Sequence, residues 1–428
     1  MNRRATRLGV LATSLSLALM VSGCGRGDDD DKSSTPGVTD DACPNAVNKD
    51  NGCISLGVIT DLTGLFKGVG VPFNEGQKAF WAQVNKDGGL DGYDVDITTN
   101  VEDSTYDPDK HAAAYEKIKD NVAALAQSLG TAQTNAILGD AKDESMLIGP
   151  VSLGSNWIFE DIAIEVGTSY CGEAMNMVDY AVDTLKAKKI AMVHFPGDYG
   201  DDAMVGARIA ADARGVDFVE ITTAPGAEEQ AAAISALVKA KPDVVLIATG
   251  PIEMAAVVGG AAAAGFQKPY LGSIPSWNSA VLDSPAGPAI EALYMQASSF
   301  PTWDADTPGS EAMRTAAGKA VAPNDWYNLG WAGAYVMKAV LEKAIENDDL
   351  SREGIVDAAK DLTEVDSQGM LPAGSGNYAG DPNEAAVRVT QLNKVDKSAA
   401  SKVSVAAAPF TGPTLTDYEF EEPCYLQK

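Results

Sequence analysis

Apolar positions along this chain switch between two spacings. From residue 54 the run ISLGVIT alternates and stops at the turn Asp61-Leu62-Thr63-Gly64. A loop holding Gly64, Gly68 and Gly70 follows, then residues 73–84 repeat at helical spacing and end at Asp87-Gly88-Gly89. Residues 93–99 (YDVDITT) alternate again. A period of two predicts a half-buried strand and a period near 3.6 an amphipathic helix. The stretch 54–103 therefore predicts a β-loop-α-β unit whose first connection is long and glycine-rich. In open α/β sheets ligands lie outside the carboxyl ends of the strands, so that loop is a candidate binding element.

The same alternation continues. A helix is predicted from Pro108 to about 119, with proline at its start where a missing N–H costs little. Strand 122–126, a turn at 127–131, a helix from Gln133 and strand 145–151 follow. A second set runs helix 173–186, strand 189–195 (KIAMVHF), loop 196–200, helix 202–214, strand 216–221, helix 227–240 and strand 243–249. A further helix starts at Gly250-Pro251. Shorter strands are expected at 269–272 and 292–297, an amphipathic helix at 328–346 and a last strand at 387–392. Alternating β and α segments predict α/β architecture with parallel-type sheets covered by helices on both faces.

Length and composition narrow the function classes. A chain of 428 residues holds two domains with real cores, and 45% hydrophobic content suits an ordinary α/β protein. A formal charge of −28 argues against nucleic acid and anionic lipid as partners. At the amino terminus Arg3, Arg4 and Arg7 precede an apolar run, 8–21, too short for a permanent membrane span. Its end, Val21-Ser22-Gly23-Cys24, resembles a bacterial lipobox, in which the Cys24 thiol takes a lipid; the alternative is an ordinary secretory leader cut nearby. Residues 24–53 carry no apolar period and read as a disordered tether with a reach of about 30 Å.

Four cysteines follow Cys24 and point to an oxidising compartment. Cys43 and Cys53 flank a turn-rich segment that a bridge could close, leaving Cys171 and Cys424; four cysteines allow three pairings, and spacing does not choose. No CxxC occurs and His111 and His194 are the only histidines, so no metal site or cofactor is expected. Enzyme signatures are missing too. Gly260-AAAA-Gly265 continues into Phe266 rather than Lys-Ser/Thr, and GxSxG, HExxH and GxGxxG are not found. The expectation is a binding protein rather than an enzyme.

A resemblance sharpens this. Thr60-Asp61-Leu62-Thr63-Gly64, Gly70, Gly76, the run from Asn85 to Gly92, and Glu102-Asp103 leading to Asp107-Pro108 together resemble the first unit of branched-chain amino-acid type solute-binding proteins of ABC transporters. Lys189 to His194 followed by Asp198-Tyr199-Gly200 is similar to the next strand and turn. Pro242 to Val245, Tyr270-Leu271-Gly272 and Ser367-Gln368-Gly369 continue the likeness across roughly 54–393. It implies two Rossmann-like lobes joined by a three-crossing hinge, 54–170 plus 297–366 and 171–296 plus 367–428, closing over a ligand. It also implies an ABC permease with its ATPase as partners, and a monomer on the outer face of the membrane. A sensory module of the same fold is the alternative, and the lack of a fused signalling domain favours transport.

By the same resemblance, Gly130, Thr131, Ser152 and Leu153 hold a ligand carboxylate, and Tyr199 lies over the ligand from the second lobe. Gly250 and Glu253 belong to the facing loop. Two positions depart from the pattern. Val69 stands where amino-acid binders tend to carry tyrosine, and Ser273-Ile274-Pro275-Ser276-Trp277 replaces the loop that supplies an acid for the ligand ammonium. A buried ammonium without an acid partner is costly. Either Glu253 or Asp198 serves, or the ligand lacks an ammonium, and the second is the preferred reading, with Trp277 as an apolar wall.

Overall fold

The computed structural model describes residues 35–372 and 374–427. The proposed leader, 1–23, and Cys24 lie outside them. Two sheets carry the fold. The first contains β1 (Val38–Thr39), β2 (Gly52–Thr60), β3 (Tyr93–Asp96), β4 (Val101–Asp103), β5 (Ala124–Leu129) and β6 (Ile148–Val151). Its order is β1-β2-β5-β6, with β3 and β4 both paired to β2, and every pairing except β1–β2 is parallel.

The second sheet contains β7 (Lys189–His194), β8 (Asp217–Thr222), β9 (Val244–Ala248), β10 (Tyr270–Gly272), β11 (Tyr294–Ser298), β12 (Thr390–Val395) and β13 (Val403–Phe410). Its order is β13-β12-β11-β10-β9-β7-β8. The strands from β8 to β11 are parallel, and β12 and β13 add antiparallel to the β11 edge.

Six helices frame the space between the sheets: α1 (Lys67–Lys86), α2 (Thr131–Asn135), α3 (Tyr170–Asp183), α4 (Asp198–Arg214), α5 (Pro251–Ala263) and α6 (Asp325–Glu346). The chain crosses between the sheets three times. It leaves the first sheet after β6 and joins the second with α3. It returns after β11, so that α6 shares the first sheet's core with Ile54, Val58, Phe80 and Trp81, and it goes back to form β12. Helices α1 and α6 touch backbone to backbone. A Cβ on Gly76 would stand 2.1 Å from the Tyr327 carbonyl oxygen, and one on Gly330 would stand 2.0 Å from that of Phe73. Glycine at both positions lets the two axes approach.

Two expectations are corrected. The segment 35–53 is part of the fold, not a disordered tether. Val38 and Thr39 pair with Ile54 and Cys53, and a Cys43–Cys53 disulfide closes the segment. Buried Asp94 organises it, accepting from the amides of Val47 and Asn48 at 3.0 Å and from the side chains of Asn48 and Asn51 at 2.8 and 3.0 Å. Burial alone would raise that carboxyl's pKa, but these bonds outweigh it and hold it below the usual range. Order comes here from one anion and its donors, a signal that hydrophobic periodicity does not carry.

The glycine-rich connection after β2 is also shorter than expected, because Gly68 and Gly70 are already helical in α1. Pro72 lies inside that helix and has no N–H to offer the Gly68 carbonyl four residues back. Asn278 satisfies that oxygen instead, donating its Nδ2 at 3.1 Å from the turn after β10. A helical defect on one side of the cleft is thus filled by a side chain from the other.

Candidate functional site

The loops at the carboxyl ends of β2, β5, β6, β10 and β11 meet around one cavity of about 60 Å³. Each wall has a local cause. After β2, buried Asp61 accepts from the amides of Thr63 at 3.2 Å and Phe66 at 2.7 Å, and this turn drives the Phe66 ring inward against Tyr106, with centroids 4.5 Å apart. After β5, Gly130 takes a φ of +104°, which L side chains rarely adopt, and a Cβ there would stand 2.8 Å from the Tyr106 ring. That backbone turn starts α2 and aims Thr131 at Ser152 beyond β6.

The Thr131 and Ser152 hydroxyls lie 2.7 Å apart, and Ser152 Oγ also accepts from the Trp157 indole N–H at 3.0 Å. One mutual bond uses one of the two hydroxyl protons, so the pair keeps one to donate. This is the polar corner of the cavity. The remaining lining is almost entirely apolar or aromatic: Phe66, Val69, Phe73, Leu129, Leu153, Val166, Tyr170, Ile274, Pro275, Phe300, Trp326 and Leu329, with Tyr106 and Tyr199. Tyr199 packs edge-on against Tyr170 at 4.6 Å, and its hydroxyl sits beside Ser273 and Ser276. Among the described residues, neither a carboxylate side chain nor a basic one lines the space.

Behind this wall stands Glu173, fully buried, whose Oε1 accepts from the Ile274 amide at 3.2 Å. Burial pushes its pKa up to about 8, against the smaller opposing effect of bonds from Ser273 and Ile274. At neutral pH it is a neutral acid holding the turn that presents Ile274 and Pro275 to the cavity.

The residues named from sequence divide in two. Val69, Gly130, Thr131, Ser152, Leu153 and Tyr199 all line the cavity, whereas Gly250, Glu253 and Trp277 do not. Trp277 is stacked on Tyr294 at 5.7 Å in the core of the second sheet, and its carbonyl oxygen accepts from the Trp326 indole at 3.1 Å. It supports the wall through Trp326 and is not the wall itself. Glu253 turns toward the neighbouring loop, accepting from the Gly226 amide at 2.7 Å. The Asp198 side chain lies outside what the structure describes. Most of the aromatic wall escapes sequence reasoning. Phe300 and Trp326 follow the second crossing and lie in polar, loop-like sequence outside the predicted strand 292–297 and helix 328–346. Neither histidine reaches the cavity: His111 bonds Ser128 and His194 the Phe195 carbonyl.

Residues 53–399 match the family described as periplasmic binding protein. The chain belongs to that family. Among solved structures this periplasmic binding protein is similar to a fatty acid ABC transporter substrate-binding protein from Thermomonospora curvata. The two are 27% identical with a TM-score of 0.81, over 90% of this chain and 96% of that one. A branched-chain amino acid ABC transporter protein from Thermus thermophilus with bound valine shares the fold, at 18% identity and a TM-score of 0.74 over 85% and 98% of the two chains. A Leu/Ile/Val-binding protein homolog 3 from Brucella melitensis is 25% identical over 199 residues, 45% of this chain. The chain matches about half, 53%, of that relative's length. These are binding proteins, and among the described residues of this family member no helix is long and apolar enough to cross a membrane.

Proposed function

We propose that this chain is the extracytoplasmic solute-binding component of an ABC importer, and that its ligand is a carboxylate with an apolar chain. The observation that carries the reading is the cavity lining: one hydroxyl corner, Thr131 with Ser152, in a space otherwise walled by hydrocarbon and aromatic rings. A carboxylate accepts the hydroxyl proton at that corner, and its chain lies against Phe73, Leu129, Phe300 and Trp326. Among the described lining residues an α-ammonium finds no acid partner, whereas a carboxylate finds the donor of the Thr131–Ser152 pair. The similarity to a fatty acid binder at 27% identity supports the same class.

In this reading the two lobes, 54–170 plus 297–366 and 171–296 plus 367–428, close on the ligand. The bound, closed form is the one handed to a permease. Cys24 carries the lipid that keeps the protein at the outer face of the membrane, and Cys24→Ser should release it into the medium.

The test uses protein stripped of ligand by unfolding and refolding, followed by thermal denaturation with straight-chain monocarboxylates, their amides, leucine and valine. The carboxylates are expected to raise the melting temperature, about 2.7 kcal/mol of stabilisation at a hundredfold excess over Kd. Trp326 fluorescence should change with the same midpoint. A shift with leucine or valine and none with the carboxylates would overturn the assignment.

A further inference from the structure

Residues 65–69 have two sides. Phe66 and Val69 face the cavity, while Leu65, Lys67 and Gly68 line a second, open hollow of about 770 Å³. The opposite bank of that hollow is α5, which offers Ile252, Ala256, Gly259 and Gly260 along one stripe, and the turn carrying Val281 and Pro285. Thirteen helical residues make this bank about 20 Å long. Ile252 is 57% exposed, and Lys67 is the one charged residue in the lining. Glu253 is the one charged residue of α5, and an apolar helix face left open to solvent marks a surface that needs an occupant.

The trough and the cavity share a partition. The Phe66 ring, 5% exposed, reaches within 3.9 Å of where a Cβ on Gly250 would stand, and Gly250 directly precedes Pro251, which lines the trough. The Asn278–Gly68 hydrogen bond joins the two banks, so the trough has both walls only when the two sides of the cleft are together.

We propose that the trough is a second subsite for the ligand's apolar tail: acyl chains too long for the inner cavity pass Phe66 and lie along α5. This rests on the reading of the cavity as a carboxylate site. Three observations favour this occupant over another protein. The trough shares the 65–69 segment with the cavity wall, its two banks are joined by the Asn278–Gly68 hydrogen bond, and a formal charge of −28 opposes a second copy of the chain on this face. Ala256, Gly259, Gly260 and Ala263 offer no side-chain polar group along this bank, so little there can bond a peptide backbone.

Calorimetric titration of the stripped protein with saturated monocarboxylates from hexanoate to octadecanoate, kept below micelle formation, tests this. Affinity is expected to keep rising about fourfold per added methylene through the longest acids, the value for burying each group from water. In Ile252→Glu and Ala256→Glu the rise should stop partway, leaving the longest acids at least tenfold weaker relative to hexanoate than in the wild type. Circular dichroism would confirm that both variants fold. A wild-type plateau above a bound short acid, an unbroken rise in both variants, or a dimer that these substitutions dissociate would overturn the tail subsite alone. Failure of hexanoate itself to bind would bring down the cavity reading and the subsite with it.

Discussion

Glu173 is a fully buried acid whose pKa of about 8 is set by desolvation, with hydrogen bonds from Ser273 and Ile274 only partly opposing it. In the unfolded chain it ionises near pH 4.5. The folded form therefore binds the extra proton. Its contribution to stability is complete below the unfolded pKa and is lost as pH rises toward the folded one. Glu173→Gln keeps an acceptor for the Ile274 amide and cannot ionise. Between pH 5 and 8 the wild type should lose roughly 2–4 kcal/mol more stability than this variant, read from urea unfolding; equal losses would refute the neutral-acid assignment. Thr131→Val tests the polar corner. It keeps the shape at that position, and should weaken a bound carboxylate by about 1.5–3 kcal/mol with little change in melting temperature. Glu253→Gln, outside the cavity, should leave affinity where it was.

At this scale the sequence is informative where a side chain belongs to a strand-end motif. Thr131 and Ser152 stand within two residues of a strand end and Tyr199 in the first turn of the helix after β7, and all three line the cavity. Trp277 also follows a strand, but the turn formed by Ile274–Ser276 carries it past the cavity into the core. Phe300 and Trp326 reach the cavity only because two crossings bring distant segments together, which no local pattern encodes.

Among the elements, those with long apolar periods are legible and those ordered by polar contacts are not. The predicted helix at 328–346 overlaps α6 (Asp325–Glu346), extended by the Asn324 side chain, which accepts from the amides of Trp326 and Tyr327. β13 escapes notice because its sequence, VSVAAAPF, is mostly small and its outer positions are exposed. The 35–53 segment escapes because its order rests on Asp94. Disulfides act at this scale as well. Cys171–Cys424 ties the end of the chain to α3 across 253 residues, whereas Cys43–Cys53 spans 10. Chain entropy assigns about 5 kcal/mol to the long loop and about 3 to the short one. Cys171→Ser with Cys424→Ser should thus lower the urea midpoint more than Cys43→Ser with Cys53→Ser. The C-terminal segment packs through the same region, with the Cys424 amide donating to Ser155 Oγ at 2.7 Å. The reverse order would show that the long bridge closes a contact already held by packing.

Over the whole molecule, titration gives two opposing slopes. Burial raises the carboxyls of Glu173, Asp202 and Asp325, to about 8, 7 and 6, and that of Glu165 as well. Each contributes stability that is present below its unfolded pKa and lost as pH rises through the folded value. Asp94, Asp103, Glu144 and Asp243 are held below their usual range by hydrogen bonds or nearby lysines, so their contribution is present above the unfolded pKa and lost as pH falls. Net charge adds to the first slope, since a chain of pI about 4.3 with a formal charge of −28 at pH 7 repels itself less as pH drops toward 5. The melting temperature is accordingly expected to peak near pH 5 and to fall toward both pH 8 and pH 3. Added salt should raise it more at pH 8 than at pH 5, because the net repulsion that screening relieves is larger at the higher charge. A melting temperature that climbs steadily from pH 5 to 8 would mean that the buried acids are ionised in the folded protein, and would remove the neutral Glu173 from behind the cavity wall.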